Sequence, residues 1–244
     1  MRIESSMFHV QSSKLSIEDY IEAHSEEEHP YLHALWRATH LHLNYPRMAS
    51  GHVQGQLLRM LVQMIRPKQV LELGTFTGYS ALAMASALES DAMLHTLEVS
   101  DEQEVFTRPW IEQSPWADRV RFYIGDALEL LSDRCSGLPD LFDLVFIDAD
   151  KRHYLDYYEA VLPRVSEGGF ILADNTLWSG QVCEAALRKN NEITNKGAES
   201  GANAKESQLL GIMSFNDFVA ADNRVEKVIL PLRDGLTIIR KRNH

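Results

Sequence analysis

A chain of 244 residues bounds the protein to one large domain or two small ones. Lys and Arg number 24 against 35 Asp and Glu, a formal net charge of -11. That balance argues against nonspecific nucleic-acid binding, whose affinity comes from neutralising phosphates. The composition, 45% hydrophobic and 24% charged, is that of a globular chain rather than a disordered one. The two cysteines, Cys135 and Cys183, supply neither a disulfide framework nor a metal-type spacing. No apolar run approaches the ~20 residues of a membrane helix. The start, Met1-Arg2-Ile3-Glu4-Ser5-Ser6, lacks a signal peptide's apolar stretch, so a cytoplasmic protein without membrane contact is expected.

Residues 1–50 read as a polar, helical N-terminal cover, with Ser16 and Asp19 marking a helix start. His29 and His33 have the i, i+4 spacing of helical metal ligands, but no third ligand stands nearby and a polar helix surface is the simpler reading. Val53, Leu57, Leu58, Leu61 and Ile65 recur at helical period until Pro67. The pattern then alternates. Strands are expected at 70–73, 94–97, 120–124, 142–147 and 169–173, with helices at 80–88, 102–113 and 154–165 between some of them. The run at 142–147 is nearly continuous in apolar residues, as in a strand covered on both faces.

Residues 181–208 show little periodicity and read as an insertion near the substrate side. A helix resumes near Leu209, and strands at 225–232 and 236–240 flank Arg233-Asp234-Gly235. The sum is one α/β domain over 1–244, a doubly wound, mostly parallel seven-stranded sheet with an antiparallel C-terminal hairpin.

Ligands of such sheets bind beyond the carboxyl ends of the strands, near the point where strand order reverses. After the first strand comes Glu72-Leu73-Gly74-Thr75-Phe76-Thr77-Gly78-Tyr79-Ser80, whose glycines admit a ligand to the backbone. It matches neither the dinucleotide fingerprint nor the phosphate-binding P-loop. The second strand ends in Glu98, 26 residues after Glu72, an acid placed to accept ribose hydroxyls. The third is followed by Gly125-Asp126-Ala127, a position able to border an adenine ring. The fourth ends Asp148-Ala149-Asp150-Lys151 and the fifth Asp174-Asn175, so adjacent strands can aim Asp148, Asp174 and Asn175 at one point. Two carboxylates and an amide oxygen suit Mg²⁺ or another hard divalent cation. Lys151 follows as a candidate base.

These residues resemble the class I S-adenosylmethionine-dependent O-methyltransferases, within them the cation-dependent branch of catechol and caffeoyl-CoA O-methyltransferases. The resemblance runs from about Met48 through Arg240. It is carried above all by Val70 to Ser80, by Phe146-Ile147-Asp148-Ala149-Asp150-Lys151 and by Asp174-Asn175-Thr176-Leu177-Trp178-Ser179-Gly180; Ser50, Gly55 and Gln56 match as well. It implies a Rossmann-like methyltransferase fold. By it, Glu72, Gly74, Thr75 and Ser80 hold the amino-acid part of S-adenosylmethionine, Glu98 the ribose, and Ala127 borders the adenine. Ser50 closes the cofactor pocket, with Asp148 beside it. Asp148, Asp174 and Asn175 ligate the cation, and Lys151 with Asp148 carries the chemistry. The resemblance further implies a small phenolic acceptor and a homodimer.

Where plant caffeoyl-CoA enzymes carry Asn, this chain has Ser179, which favours a free diphenol or another vicinal-oxygen compound over a CoA thioester. Trp178 is a candidate wall for an aromatic acceptor. A nucleotide-dependent oxidoreductase and a noncatalytic cofactor-binding protein stand as alternatives at this point.

Overall fold

Short β-branched and leucine-rich runs build the sheet, and their alternating side chains build its two faces. The computed structural model describes residues 16–133, 135–185 and 204–243. Seven strands, β1 (Gln69–Leu73), β2 (Met93–Glu98), β3 (Val120–Ile124), β4 (Phe142–Ile147), β5 (Val165–Asp174), β6 (Val225–Leu230) and β7 (Leu236–Lys241), stand in the order β3-β2-β1-β4-β5-β7-β6. The first five are parallel; β7 runs antiparallel between β5 and β6. Strand order reverses between β1 and β4, the expected switch point.

The helices are α1 (Ile17–Ala23), α2 (Pro30–His42), α3 (His52–Ile65), α4 (Tyr79–Ala85), α5 (Asp101–Glu112), α6 (Ala127–Ser132), α7 (Tyr154–Val161) and α8 (Ala204–Ala221). Among the described residues no helix is long and apolar enough to cross a membrane. Ser16 starts α1 as expected, its hydroxyl accepting from the Asp19 N–H while Asp19 accepts from the Ser16 N–H, both at 3.0 Å.

Period-two alternation divides the core. Val70, Leu94, Leu144, Phe146 and Leu172 pack against α2, α3 and α4 through Leu35, Leu58 and Leu82. Leu71, Leu73, Val145, Ile147 and Ile171 face the other way, against Tyr154, Tyr158 and Phe215 from α7 and α8. Burying each such side chain contributes about 1.5–3 kcal/mol.

Several expected boundaries move, among them the end of the helix expected over 80–88, now at Ala85, and the end of the strand expected over 225–232, now at Leu230. The helix expected over 154–165 stops at Val161, because Pro163 removes a backbone donor and turns Leu162–Arg164 into a 3₁₀ segment. Strand β5 is twice the expected length, with a register irregularity against Phe142 and Leu144 beside Gly168 and Gly169. Helix α8 starts five residues before Leu209, and so takes in the end of the segment read as a 181–208 insertion. Residues 186–203 of that segment, and 1–15 of the N-terminal cover, lie outside the described residues.

Gly74 fixes the switch point. It has φ +95°, and a Cβ there would stand 2.2 Å from the Asp148 carbonyl oxygen. Left-handed strain costs about 1–3 kcal/mol, and overpacking adds about as much. Gly74→Ala should therefore lower stability by about 3 kcal/mol in urea unfolding; an unchanged midpoint would mean that the ends of β1 and β4 part freely.

Candidate active site

The two parallel halves of the sheet send their chains in different directions beyond Gly74. The Asp148 N–H donates to Leu73 O at 2.8 Å, while the Gly74 N–H turns to Leu97 O at 3.0 Å. The ends splay, and a cleft of about 1450 Å³ opens over them. Its floor is made of strand ends; its rim comes from residues 42–48, Trp178 and Gln208.

One end of the cleft is built by the β1–α4 turn. Gly78, at φ +83°, closes it with an N–H bond to Thr75 O at 2.8 Å. Of the residues read as cofactor-binding, Thr75, Ser80, Glu98, Ser50, Ala127 and Gly74 all line the cleft. Glu98 accepts the Phe76 N–H at 2.8 Å and the Ser100 N–H at 2.9 Å, which fixes its carboxylate at the end of β2. Asp126 caps α6 by accepting from Leu128 and Glu129, and so presents Ala127.

Glu72 behaves differently. It is fully buried beneath the floor and does not line the cleft. Its oxygens accept the Ser80 hydroxyl at 2.6 Å and the Thr96 hydroxyl at 2.5 Å, so it meets the cleft indirectly, through Ser80 and through Thr96, whose hydroxyl stands 2.5 Å from that of Thr75. Burial pushes its carboxyl up to about 8, with those hydroxyls opposing.

At the other end, β4 and β5 bring Asp148, Lys151, Asp174 and Asn175 to the same cleft. Lys151 is buried; its Nζ donates to Asp148 Oδ1 at 2.6 Å and to the Tyr154 hydroxyl at 2.7 Å. Burial, then the charges of Asp148 and Asp174, hold the Tyr154 hydroxyl protonated far above its ordinary range. It stands 2.9 Å from Asp174 O and 3.2 Å from Ile147 O as donor. Asp174 accepts the Gln54 side-chain amide at 2.6 Å and the Asn175 N–H at 2.8 Å. Burial, then the Asp148 charge, push its carboxyl up to about 6.

Gln54, Tyr154 and Arg233 escaped the sequence reading. Tyr154 stood one turn beyond Lys151. Gln54 was a polar residue at a buried phase of an otherwise apolar helix face, the only signal available for it. Arg233 was counted as a turn residue, and its left-handed φ of +48° aims it inward. Five of the seven non-glycine residues with positive φ among those described, Tyr45, Phe76, Asn175, Trp178 and Arg233, line this cleft. Backbone strain of about 1–3 kcal/mol each concentrates where side chains must be aimed.

His29 and His33 find separate partners: His29 accepts from the Tyr31 N–H at 3.1 Å, and His33 meets Glu28 at 3.1 Å. Ser179 turns away to Asp234 at 2.9 Å.

The O-methyltransferase family profile matches residues 22–242. The chain belongs to that family. Its members of this kind are class I enzymes that depend on S-adenosylmethionine, so the oxidoreductase alternative falls. The chain is 35% identical over 198 residues to caffeoyl-CoA O-methyltransferase 1 of Eucalyptus globulus, covering 80% of this chain and 75% of that one. It is 35% identical over 199 residues to tricin synthase 1 of Oryza sativa subsp. japonica, with coverage of 80% and 75%. The O-methyltransferase from Bacillus cereus in complex with SAH superposes with a TM-score of 0.78 at 27% identity, covering 93% of this chain and 97% of that one.

For this O-methyltransferase the neutral Glu72 has a consequence for pH. Its folded-state value near 8 exceeds the ordinary 4.5, so its contribution to stability is full below about 4.5 and is lost as pH rises through about 8. Glu72→Gln should therefore gain stability relative to the wild type, on the order of a few kcal/mol, between pH 5 and 9. Melting curves of the two proteins that stay parallel over that range would show that Glu72 does not titrate.

Proposed function

We propose that the protein moves a methyl group from S-adenosylmethionine to a hydroxyl of a small phenolic acceptor with vicinal oxygens, and that it requires a divalent cation to do so. The observation that carries this reading is the meeting of Asp148, Asp174, Asn175 and Lys151 in the cleft whose other end is formed by Thr75, Ser80 and Glu98.

The cofactor end fits a nucleoside ligand. Thr77 Oγ1 and Gln103 Oε1 belong to cleft-lining residues and are buried polar atoms with no protein partner. Such atoms are costly unless a ligand or water completes them. Glu98, held by two backbone N–H groups, keeps lone pairs for ribose hydroxyls. Ser80 and Thr75 offer hydroxyls to the amino-acid part, and Asp148 can take its ammonium group.

The other end fits a hard cation. Among the described residues no group of three or more His, Cys, Asp and Glu is placed to hold a metal; the donors here are two carboxylates and an amide. All are oxygen ligands, as Mg²⁺ prefers. Two carboxylates and one ammonium leave a net negative site, and the like-charge pressure on Asp174 is the strain that a cation relieves. When bound, the cation would acidify an acceptor phenol and fix its orientation.

The chain's own groups then do the rest. Methyl transfer to oxygen is an in-line displacement, so positioning dominates, and the strand-end floor holds the two reactants to one line. Lys151 Nζ is the basic atom nearest the proposed acceptor site. It acts as base in its neutral amine form, after the resting ammonium has lost a proton to solvent, and the ammonium regenerated when the amine takes the hydroxyl proton is stabilised by Asp148 and the Tyr154 hydroxyl. Trp178 and the apolar rim of Tyr45 and Met48 shield an aromatic ring from water. Gln208 returns to the same rim, which supports a role in acceptor binding for the segment that ends there. The same reading takes the protein as cytoplasmic, from its composition, and as a homodimer, from the resemblance alone.

Asp174→Ala, Asn175→Ala or a chelator should abolish methylation of a catechol; full activity after any of them would remove the cation from the reading. Lys151→Ala should lower kcat about 10²-fold or more while the Kd for S-adenosylhomocysteine stays within about threefold. Wild-type turnover in that variant would assign the proton to another group.

A further inference from the structure

Gln54 is 1% exposed, on the face of α3 that also buries Leu58 and Val62. A buried primary amide must satisfy a donor end and an acceptor end. Here Nε2 donates to Asp174 Oδ2 at 2.6 Å, and Oε1 accepts Arg233 Nη1 at 2.7 Å. The same guanidinium donates to the backbone carbonyl of Ser50 and reaches that of Ala49 at 3.4 Å.

The order of charges in this chain of bonds is informative. A reversed amide would set its oxygen against a carboxylate and its NH₂ against a guanidinium, two repulsive contacts. Arg233 therefore keeps the donor end on Asp174. Because the bridging group is neutral, Asp174 is held without a direct ion pair, and its charge remains for a ligand in the cleft. Asp174 Oδ1 accepts the N–H of Asn175, which sits at φ +60°. Each carboxylate oxygen thus has one protein donor, and the carboxylate plane is fixed from both sides.

From this geometry we infer that Gln54 and Arg233 are positioning residues for a divalent cation: Arg233 orients the amide, and the amide orients Asp174. The inference rests on the cation reading above and extends it to residues that touch neither cation nor acceptor. Outer partners that orient metal-binding groups are typically worth about 10–100-fold in metal affinity.

The test is a Mn²⁺ titration of the full chain followed by electron paramagnetic resonance, with S-adenosylhomocysteine affinity measured separately without metal. Gln54→Met keeps length and volume and removes both hydrogen bonds. It should weaken Mn²⁺ binding about 10–100-fold and leave S-adenosylhomocysteine affinity within about threefold. Arg233→Met should weaken Mn²⁺ binding too, and also the homocysteine ligand, since it frees the Ser50 backbone. The double variant should bind Mn²⁺ no more weakly than Gln54→Met alone, as members of one relay do.

Wild-type Mn²⁺ affinity in a folded Gln54→Met chain overturns the inference. So does an equal loss of both ligands in that variant, which marks a merely structural residue. If Gln54→Met does not fold, Arg233→Met decides alone, and unchanged Mn²⁺ binding there refutes the relay. The Asp174→Asn variant separates the two levels. If the wild type binds Mn²⁺ no better than Asp174→Asn, the cation reading falls and takes this inference with it. If those two differ and Gln54→Met matches the wild type, only the relay falls.

Discussion

The ends of β1 and β4 are pressed together until no side chain fits between them. Gly74 meets the Asp148 carbonyl where any other residue would place a Cβ at 2.2 Å. From that contact the two chains must leave in different directions, one toward β2 and one toward α7. The cleft is the space they vacate. The constraint explains why Thr75, Ser80 and Glu98 gather on one side and Asp148 and Lys151 on the other. It also explains how residues distant in sequence share one floor without any loop having to carry them there.

Charge is handled differently at three depths. Glu72, beneath the floor, has no cation beside it and is held neutral at neutral pH by burial; there it works as a hydrogen-bonding brace for Ser80 and Thr96. Asp148, at the floor, shares a direct ion pair with Lys151. Asp174 has an amide where an ion pair would place a cation, and the guanidinium of Arg233 is set one residue back. A direct Arg233–Asp174 pair would have been the simpler way to stabilise a buried carboxylate. The observed arrangement orients the acid while sparing its charge, which suits a ligand-binding acid better than a structural one.

Much of this was legible in sequence because the alternation of strand and helix is a local signal, and strand ends follow from it. Glu98, Asp148 and Asp174 are each the last acid of an apolar run, so finding the strands found the acids. What escaped depended on tertiary phase. Gln54 lies in a helix whose apolar stripe was read through Val53, Leu57, Leu58, Leu61 and Ile65, whereas the buried face is Gln54, Gly55, Leu58 and Val62, so that the two share only Leu58. On that face Gly55 lies against the Tyr79 ring, an approach only tertiary contact reveals. Arg233 is inward because its φ is positive, a property that turn residues do not advertise. Glu72, read as a cofactor-binding residue, lies beneath the cleft floor behind Ser80, since alternation within β1 puts it on the α4 side of the sheet.

The floor and the rim of the cleft are built by different means, and this bears on what each can vary. Floor residues are strand ends locked by backbone pairing and buried bonds, so changing one disturbs its neighbours. Rim residues lie outside the sheet and are less buried. Tyr45 and Met48 are 77% and 61% exposed, and Gln208 stands near the start of α8. A chain 35% identical to proteins named for caffeoyl-CoA and for tricin can therefore keep the floor and differ in the acceptor. Methyl-transfer chemistry belongs to the rigid layer, where a shift of ~1 Å is costly. On the proposed function, acceptor choice falls to the exposed rim, where substitution costs the fold little. The substrate is thus best sought by varying residues 42–48, Trp178 and Gln208 rather than the strand ends that gave the family away.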